Sequence, residues 1–570
     1  MSDWKIFLAE PRIAYFSMEI GLTSEIPTYS GGLGVLAGDT IKSAADLKVP
    51  LVAVTLVSRK GYFSQTIDEQ GQQQESSNQW NPEKQLECLP AKVLVTIEQR
   101  DVKVQAWLYR VTSPSRGQIP VLFLDTDIPG NAEEDRHITD HLYGGDQSYR
   151  LKQEIVLGIG GARILDQLGF EIRKYHMNEG HASLLTLELL AHSRRPIEDT
   201  WDERNSWNTQ AVTNKCVFTT HTPVKAGHDQ FPYGLVEKVL DHEIPLDLLK
   251  DLGGQDHLNM TLLALNLSKY INGVAKKHGE VSQAMFPGFE IHAITNGIHP
   301  FTWTSPYFVN LYSRYLPSWA TEPELLVRVD SIPDDEIWEA HCGAKAYLFQ
   351  YIAETCGVEL DPDILTIGFA RRVATYKRGD LIFTDIDRLL RIGEGKLQLV
   401  FGGKAHPNDE PGKELIHRIM QNIHDYQDRI RMVYLPNYNM EIAARLIPGV
   451  DLWLNNPIRP LEASGTSGMK AAINGVPNFS VLDGWWIEGH IEGVTGWSIG
   501  PPPNGNSITQ NHTDEDVEDL YNKLEKVILP LYYEDRPGWI RIMKNAIGKN
   551  AYYFNTHVMM RRYVTEAYCH

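Results

Sequence analysis

Leu365-Thr366-Ile367-Gly368-Phe369-Ala370-Arg371-Arg372-Val373-Ala374-Thr375-Tyr376-Lys377-Arg378 sets an apolar, β-prone run against four cations within residues 371–378. Residues 365–369 read as a buried strand. A charge run on its own fits a solvated face. At the end of a buried strand it also fits an anion site, because ligands of open α/β sheets bind beyond the strands' carboxyl ends.

Similar short apolar runs precede this stretch at 13–16, 51–57, 121–124, 216–220 and 291–295, and follow it at 397–401, 432–435 and 479–482. Helical patterns lie between them at 35–45, 151–168, 182–192, 335–356, 412–423 and 441–447. The alternation predicts an α/β protein with largely parallel sheets. It runs through both halves, and the stretch bearing Pro306, Pro317 and Pro323 puts a boundary near residue 305. Two doubly wound domains are therefore expected, 1–305 and 306–545, with the active site in the cleft between them. The amphipathic pattern 539–568 is expected to pack back across a domain, with 546–570 as its tail. Residues 65–87, rich in Gln, Ser, Asn and Glu, read as an exposed loop ahead of a hairpin at 93–111. Residues 500–505 read as a second loop, and the acidic run 514–519 fits the first turn of a helix.

The 570 residues carry 54 Lys and Arg against 73 Asp and Glu, a net charge of −19. That balance argues against a general surface for nucleic acid or anionic membranes, so any anion site must be built locally. With 42% hydrophobic residues there is material for more than one core. Five scattered cysteines with no C-x-x-C pair indicate neither a disulfide framework nor a zinc site. No leader pattern and no long apolar stretch is present. The expectation is a cytoplasmic protein without a metal.

Three further stretches carry chemistry. Ser30-Gly31-Gly32-Leu33-Gly34 lies between a strand and a helical pattern, and reads equally as a tight turn or as a loop whose amides face an anion. The similar Gly158-Ile159-Gly160-Gly161 sits inside a helical pattern, where close packing accounts for it. In Glu462-Ala463-Ser464-Gly465-Thr466-Ser467-Gly468-Met469-Lys470, Thr466 and Lys470 share a helical face. A phosphate held by amides near Thr466 would leave the Lys470 amine within reach of an aldehyde, which suits pyridoxal phosphate (PLP); a surface amine fits the spacing as well. Asn178-Glu179-Gly180-His181, His221-Thr222-Pro223, and Thr295-Asn296-Gly297-Ile298-His299-Pro300 with Trp303 each follow an apolar run. Their histidines lack metal spacing, and a structural role fits each.

Taken in order, these stretches resemble the α-glucan (glycogen or starch) phosphorylases, more closely their short bacterial members. Tyr15-Phe16-Ser17-Met18-Glu19, Arg150-Leu151-Lys152-Gln153-Glu154, Gly402-Gly403-Lys404, Asn437-Tyr438 and Leu482-Asp483-Gly484 extend the match over nearly the whole chain. The resemblance implies two Rossmann-like domains of the GT-B type, with PLP bound to Lys470. It implies that Trp303 and Tyr438 flank the cofactor, and that Arg371 with the amides near Thr466 and Ser467 holds its phosphate. Arg372 and Lys377, with the amides of Gly31 and Gly32, correspond to the binding groups for inorganic phosphate. His221, Asn296, Glu462, Ser464 and Gly465 correspond to contacts with the glucosyl unit, and His181 joins the substrate contacts. Lys470, Arg372, Lys377 and His221 thereby become the catalytic set.

The reaction so implied is reversible, retaining phosphorolysis of an α-1,4-glucan by inorganic phosphate to α-glucose 1-phosphate, the PLP phosphate serving as acid and base. A homodimer stays open. Ser467-Gly468, Asn439 and Val35 depart from the pattern of the long enzymes. The start of the Tyr15 motif so close to residue 1 leads to an expectation of no N-terminal regulatory extension. Two other readings remain: a synthase-like glucosyltransferase using a nucleotide sugar, because residues 30–34 also resemble that relative's loop, and a non-catalytic glucan-binding protein on the same fold.

Overall fold

The computed structural model describes residues 3–196, 203–502 and 512–569. The expected loop at 500–505 falls partly outside them. Two large sheets organise the described residues. The first has nine strands in the order His292–Ala293, Tyr270–Gly273, Cys216–Thr219, Ile172–Asn178, Arg12–Ser17, Leu51–Leu56, Gln118–Asp125, Arg100–Thr112, Glu87–Ile97. All neighbours are parallel up to Gln118–Asp125, and the last two strands form the antiparallel hairpin expected near 93–111. The second sheet has six parallel strands in the order Arg431–Leu435, Leu397–Gly402, Leu365–Ala370, Leu452–Asn455, Asn478–Val481, Gly496–Ile499.

Burial explains the pairing. Arg12–Ser17, Leu51–Leu56, Leu365–Ala370 and Leu397–Gly402 are buried at every position, as expected of parallel strands covered by helices on both faces. Numbered by sequence, the parallel strands of the first sheet run 3-2-1-4-5-6-7 and those of the second 3-2-1-4-5-6. In each, the connections leave the first strand in opposite directions, the switch point beyond whose carboxyl end ligands of open α/β sheets bind. Glu19 and Asn178 follow or end the strands at the first such point, and Arg371 and Asn456 lie at the second.

In the two large sheets, four strands have no counterpart among the expected runs: Ile172–Asn178, Tyr270–Gly273, Leu452–Asn455 and Gly496–Ile499. The run at 291–295 contributes only His292–Ala293. The larger correction concerns residues 65–87. Ser64–Ile67 and Gln73–Ser76 pair antiparallel, and Gln65 and Gln73 are only 2% and 5% exposed. Gln73 Nε2 donates to Ala405 O at 2.8 Å while its Oε1 accepts from Ala405 N at 3.0 Å. Gln65 Oε1 accepts from Asn437 N at 2.8 Å and its Nε2 donates to Gly403 O at 2.9 Å, while its backbone N donates to Asn437 Oδ1 at 3.1 Å. A glutamine amide carries the same donor and acceptor as a peptide group, so these side chains bury without a hydrogen-bond deficit. The segment is a clasp between the two halves rather than a loose loop.

The core falls into three clusters, one around the second sheet and one on each face of the first. Residues from the end of the chain enter two of them. Trp539, Ile547 and Phe554 join the second sheet's core, while Met559, Met560, Tyr563 and Tyr568 join Ile13, Tyr15 and Leu36. Asn555 caps helix Thr556–Arg562 by accepting from Val558 N, and Tyr568 OH meets His176 Nδ1 at 2.6 Å. Gly297 allows this approach, since a Cβ there would lie 2.2 Å from the Asn555 carbonyl carbon. Gly158 likewise abuts the Leu184–Leu185 backbone, as helix packing requires. Among the described residues no helix is long and apolar enough to cross a membrane.

Candidate active site

Residues 30–34 lead into helix Gly32–Asp46, with Gly31 as its N-cap. A Cβ on Gly31 or Gly32 would meet nothing within 4 Å, so the loop's outer side is open. Gly34 packs instead, where a Cβ would lie 2.6 Å from Glu19 Oε2. That carboxylate accepts from Ser30 N at 2.5 Å and Gly31 N at 3.3 Å, and Tyr143 OH donates to its Oε1 at 3.0 Å. Burial pushes the Glu19 carboxyl up, and these donors pull it back. Glu19 was legible only as part of a motif. Its place just beyond strand Arg12–Ser17, the signal that singles out Arg371, would have marked it as part of the site.

The four cations at 371–378 do not act as one patch. Arg371, 8% exposed, pairs through Nη2 with Glu462, while its Nε and Nη1 are buried without partners. Lys377 Nζ lies 3.8 Å from Glu462 Oε2. Burial, reinforced by Arg371, lowers the Lys377 amine to about 7. The exposed Arg372 faces the other half of the chain: burial disfavours its charge, but Tyr376, Tyr62, Glu19 and Tyr143 more than offset this. Arg378 corrects the reading of a common cluster. It is buried with Nη2 on Asp516 at 2.7 Å and on Pro457 O at 3.0 Å, beside Arg459, and so contributes no free charge to the strand end.

Lys470 sits in helix Ser467–Ile473, one turn on from Thr466, whose carbonyl accepts from Lys470 N at 3.2 Å. Its Nζ lies 3.4 Å from the centroid of the Trp303 ring. Burial lowers this amine to about 8, against the opposing charge of Asp39. Lys470, 8% exposed, is therefore a buried amine, not a surface one. Asn474 ties the two residues together, donating to Trp303 O at 2.7 Å and Lys470 O at 2.8 Å. Tyr438 lies against Gly402 and beside Arg371 and Tyr29, and burial keeps its hydroxyl protonated.

The three departures each have a local structural role. A Cβ on Gly468 would lie 2.3 Å from Asn478 Oδ1, and Ser467 Oγ accepts from Trp453 Nε1 at 3.1 Å. Asn439 caps helix Met440–Leu446, and Val35 is part of the core.

The remaining candidates form two groups. Beside Arg371, Gly465 takes φ 85° against Glu462, and Glu462 N donates to Asp483, whose carboxyl burial raises to about 7. Ser464 Oγ is buried without a partner. On the first sheet, His221 Nε2 meets Asn178 Oδ1 at 2.7 Å and burial lowers its imidazole to about 3. Because Asn178 offers an acceptor there, His221 holds its proton on Nε2 and leaves Nδ1 as an acceptor. His181 leans on Asp229 at 3.5 Å and on the Tyr143 ring, with Nδ1 unpartnered, and is likewise lowered to about 3. Asn296 is buried with Oδ1 unpartnered.

Buried polar atoms normally find partners. Arg371 Nε and Nη1, Ser464 Oγ, Asn296 Oδ1 and His181 Nδ1 therefore fit a ligand rich in oxygens. Arg371 suits a phosphate and Lys470 an aldehyde, so the residues fit a phosphorylated aldehyde cofactor. No group of His, Cys, Asp or Glu among the described residues could hold a metal ion.

Fold and site together define an α/β enzyme. Residues 246–496 match the carbohydrate phosphorylase family. The chain is 41% identical to a maltodextrin phosphorylase of Thermococcus litoralis, over 98% of this chain and 70% of that protein. It is 37% identical to a glycogen phosphorylase of Mycobacterium tuberculosis, over 98% and 70%. To a glycogen phosphorylase of Aquifex aeolicus it is 35% identical, over 98% and 86%. The chain belongs to the carbohydrate phosphorylase family.

Proposed function

We propose that this chain is an α-glucan phosphorylase that uses PLP, transferring terminal glucosyl units of an α-1,4-glucan to inorganic phosphate and releasing α-glucose 1-phosphate with retention. The observation that carries the reading is the pairing of a buried Lys470 on Trp303 with an Arg371 that keeps two buried donors free. In this reading residues 1–305 and 306–545 are Rossmann-like domains of the GT-B type, the site lies in the cleft between them, and 546–570 straps across. A cytoplasmic location belongs to the same reading.

Each residue's task follows from its surroundings. Lys470 anchors the cofactor, with Trp303 and Tyr438 bounding it and Arg371 with the amides near Thr466 and Ser467 holding its phosphate. When bound, PLP supplies a second phosphate that can exchange a proton with the substrate phosphate. Arg372 and Lys377, with the open Gly31–Gly32 loop, hold inorganic phosphate and offset the repulsion between two dianions. A neutral His221 offers sugar hydroxyls an acceptor without adding charge. Asn296, His181, Glu462, Ser464 and Gly465 line the sugar site. Glu462 also neutralises one of the charges of Arg371, Arg372 and Lys377, so the group stays net cationic before phosphate enters.

The test is direct. Purified protein should carry PLP absorbance and release glucose 1-phosphate from maltodextrin or glycogen only with phosphate. A colourless protein that extends glucan from ADP-glucose would establish the synthase-like reading instead. Glucan binding without turnover in either assay would point to the non-catalytic one.

A further inference from the structure

Asp39 lies on helix Gly32–Asp46, two turns in from the glycine loop, and is 1% exposed. Its Oδ2 accepts from Trp303 Nε1 at 2.7 Å. Its Oδ1 is buried with no partner at all. An uncompensated carboxylate oxygen in a core is costly, and its persistence asks for a cation or donor nearby. The Lys470 ammonium lies over the face of the same indole whose edge Asp39 holds. Donation from the indole N–H to a carboxylate adds electron density to the ring and strengthens its hold on a cation.

The other charges facing this carboxylate are few. Lys42, on the same helix, turns its Nζ to Thr302 Oγ1 at 3.3 Å. His299, from the segment before Trp303, is taken up by Asp46 at 2.8 Å. Asp39 favours the charged form of Lys470, and Lys42 opposes it.

We propose that Asp39 is the counter-ion of Lys470: through Oδ2 it fixes Trp303 under the lysine, and its negative charge at the edge of that ring favours a positive charge on the lysine nitrogen, including when that nitrogen is joined to the cofactor. Asp39 is a positioning residue; it acts through Lys470 and Trp303. This rests on the PLP reading above.

The test is a spectroscopic pH titration of PLP-loaded protein, wild type against Asp39→Asn. Asparagine keeps an acceptor for Trp303 Nε1 and removes the charge. The pH midpoint of the cofactor's absorbance change should fall by one to two units, about tenfold to a hundredfold in proton affinity at an effective dielectric near 20. Lys42→Met should move it the opposite way, and it supplies the test if the asparagine protein does not fold. A midpoint unmoved by either substitution overturns the inference, even if cofactor affinity drops, because a purely structural role would lower affinity alone. Wild-type protein that takes up no PLP chromophore refutes the proposed function instead, so the two failures are distinguishable.

Discussion

Replacing Gln73 by alanine should open the clasp between the two halves. The side chain makes both hydrogen bonds to Ala405 and accepts a third from Gln65 Nε2 at 2.7 Å. Alanine would leave Ala405 N and O without partners, at about 1–3 kcal/mol for each group that stays dry. Some water entry at the hairpin's rim reduces the sum, so about 2 kcal/mol is expected. Unfolding of a chain this long is not a two-state measurement, so the effect is best read locally by hydrogen exchange. A loss of 2 kcal/mol makes opening about thirtyfold more frequent. Peptides covering 64–76 and 403–409 should speed up together, while peptides of the second sheet's centre stay protected. Gln74→Ala is the control, since the Gln74 side chain bonds Asp68 within the hairpin and not the other half of the chain. Exchange at Ala405 within twofold of wild type in Gln73→Ala would refute the clasp.

Arg372→Ala should retain bound PLP yet lose a hundredfold or more in kcat/KM for phosphate, the scale expected when one member of an anion clamp is removed; near-wild-type turnover would reject its role. With its amine lowered to about 7, Lys377 is cationic below that pH and neutral above it. Therefore kcat/KM for phosphate should fall as pH rises past 7, approaching tenfold per unit, and Lys377→Arg should flatten the fall; an equal slope in both proteins would exclude Lys377 as the titrating group. Asp516→Asn should leave Arg378 and Arg459 buried against a neutral partner, at about 3 kcal/mol, lowering the apparent Tm by several degrees in a thermal scan; an unchanged Tm would show that the pair is dispensable.

The parts of the fold that the sequence discloses are those where one signal dominates. Residues 365–369 are apolar throughout and end at a charge run, so strand and strand-end site could be read together. Ile172–Asn178 escaped because Arg173, Lys174, Tyr175 and His176 interrupt the apolar pattern, yet Lys174 and His176 are buried by bonds to Asn214 O and Tyr568 OH. Those partners lie 40 and 392 residues away and have no local trace. Residues 65–87 misled for the same reason: polarity was taken as a need for water, whereas Gln65 and Gln73 satisfy themselves on backbone across the molecule. Arg378 carries the same charge as Arg371 and differs only in which way the chain turns after Lys377. Asp39 gave no signal, because its significance depends on Trp303 and Lys470 arriving from distant segments.

The docking of 555–568 on the first sheet bears on how the chain is made. Ile13, Tyr15 and Leu36 emerge from the ribosome long before Met559, Tyr563 and Tyr568, the residues that complete their cluster. At about 5–20 residues per second, synthesis from residue 305 to residue 555 takes about 12–50 s. Throughout that interval the first half carries an apolar face with its cover still unmade. The first half therefore reaches its final packing only when helix Thr556–Arg562 arrives.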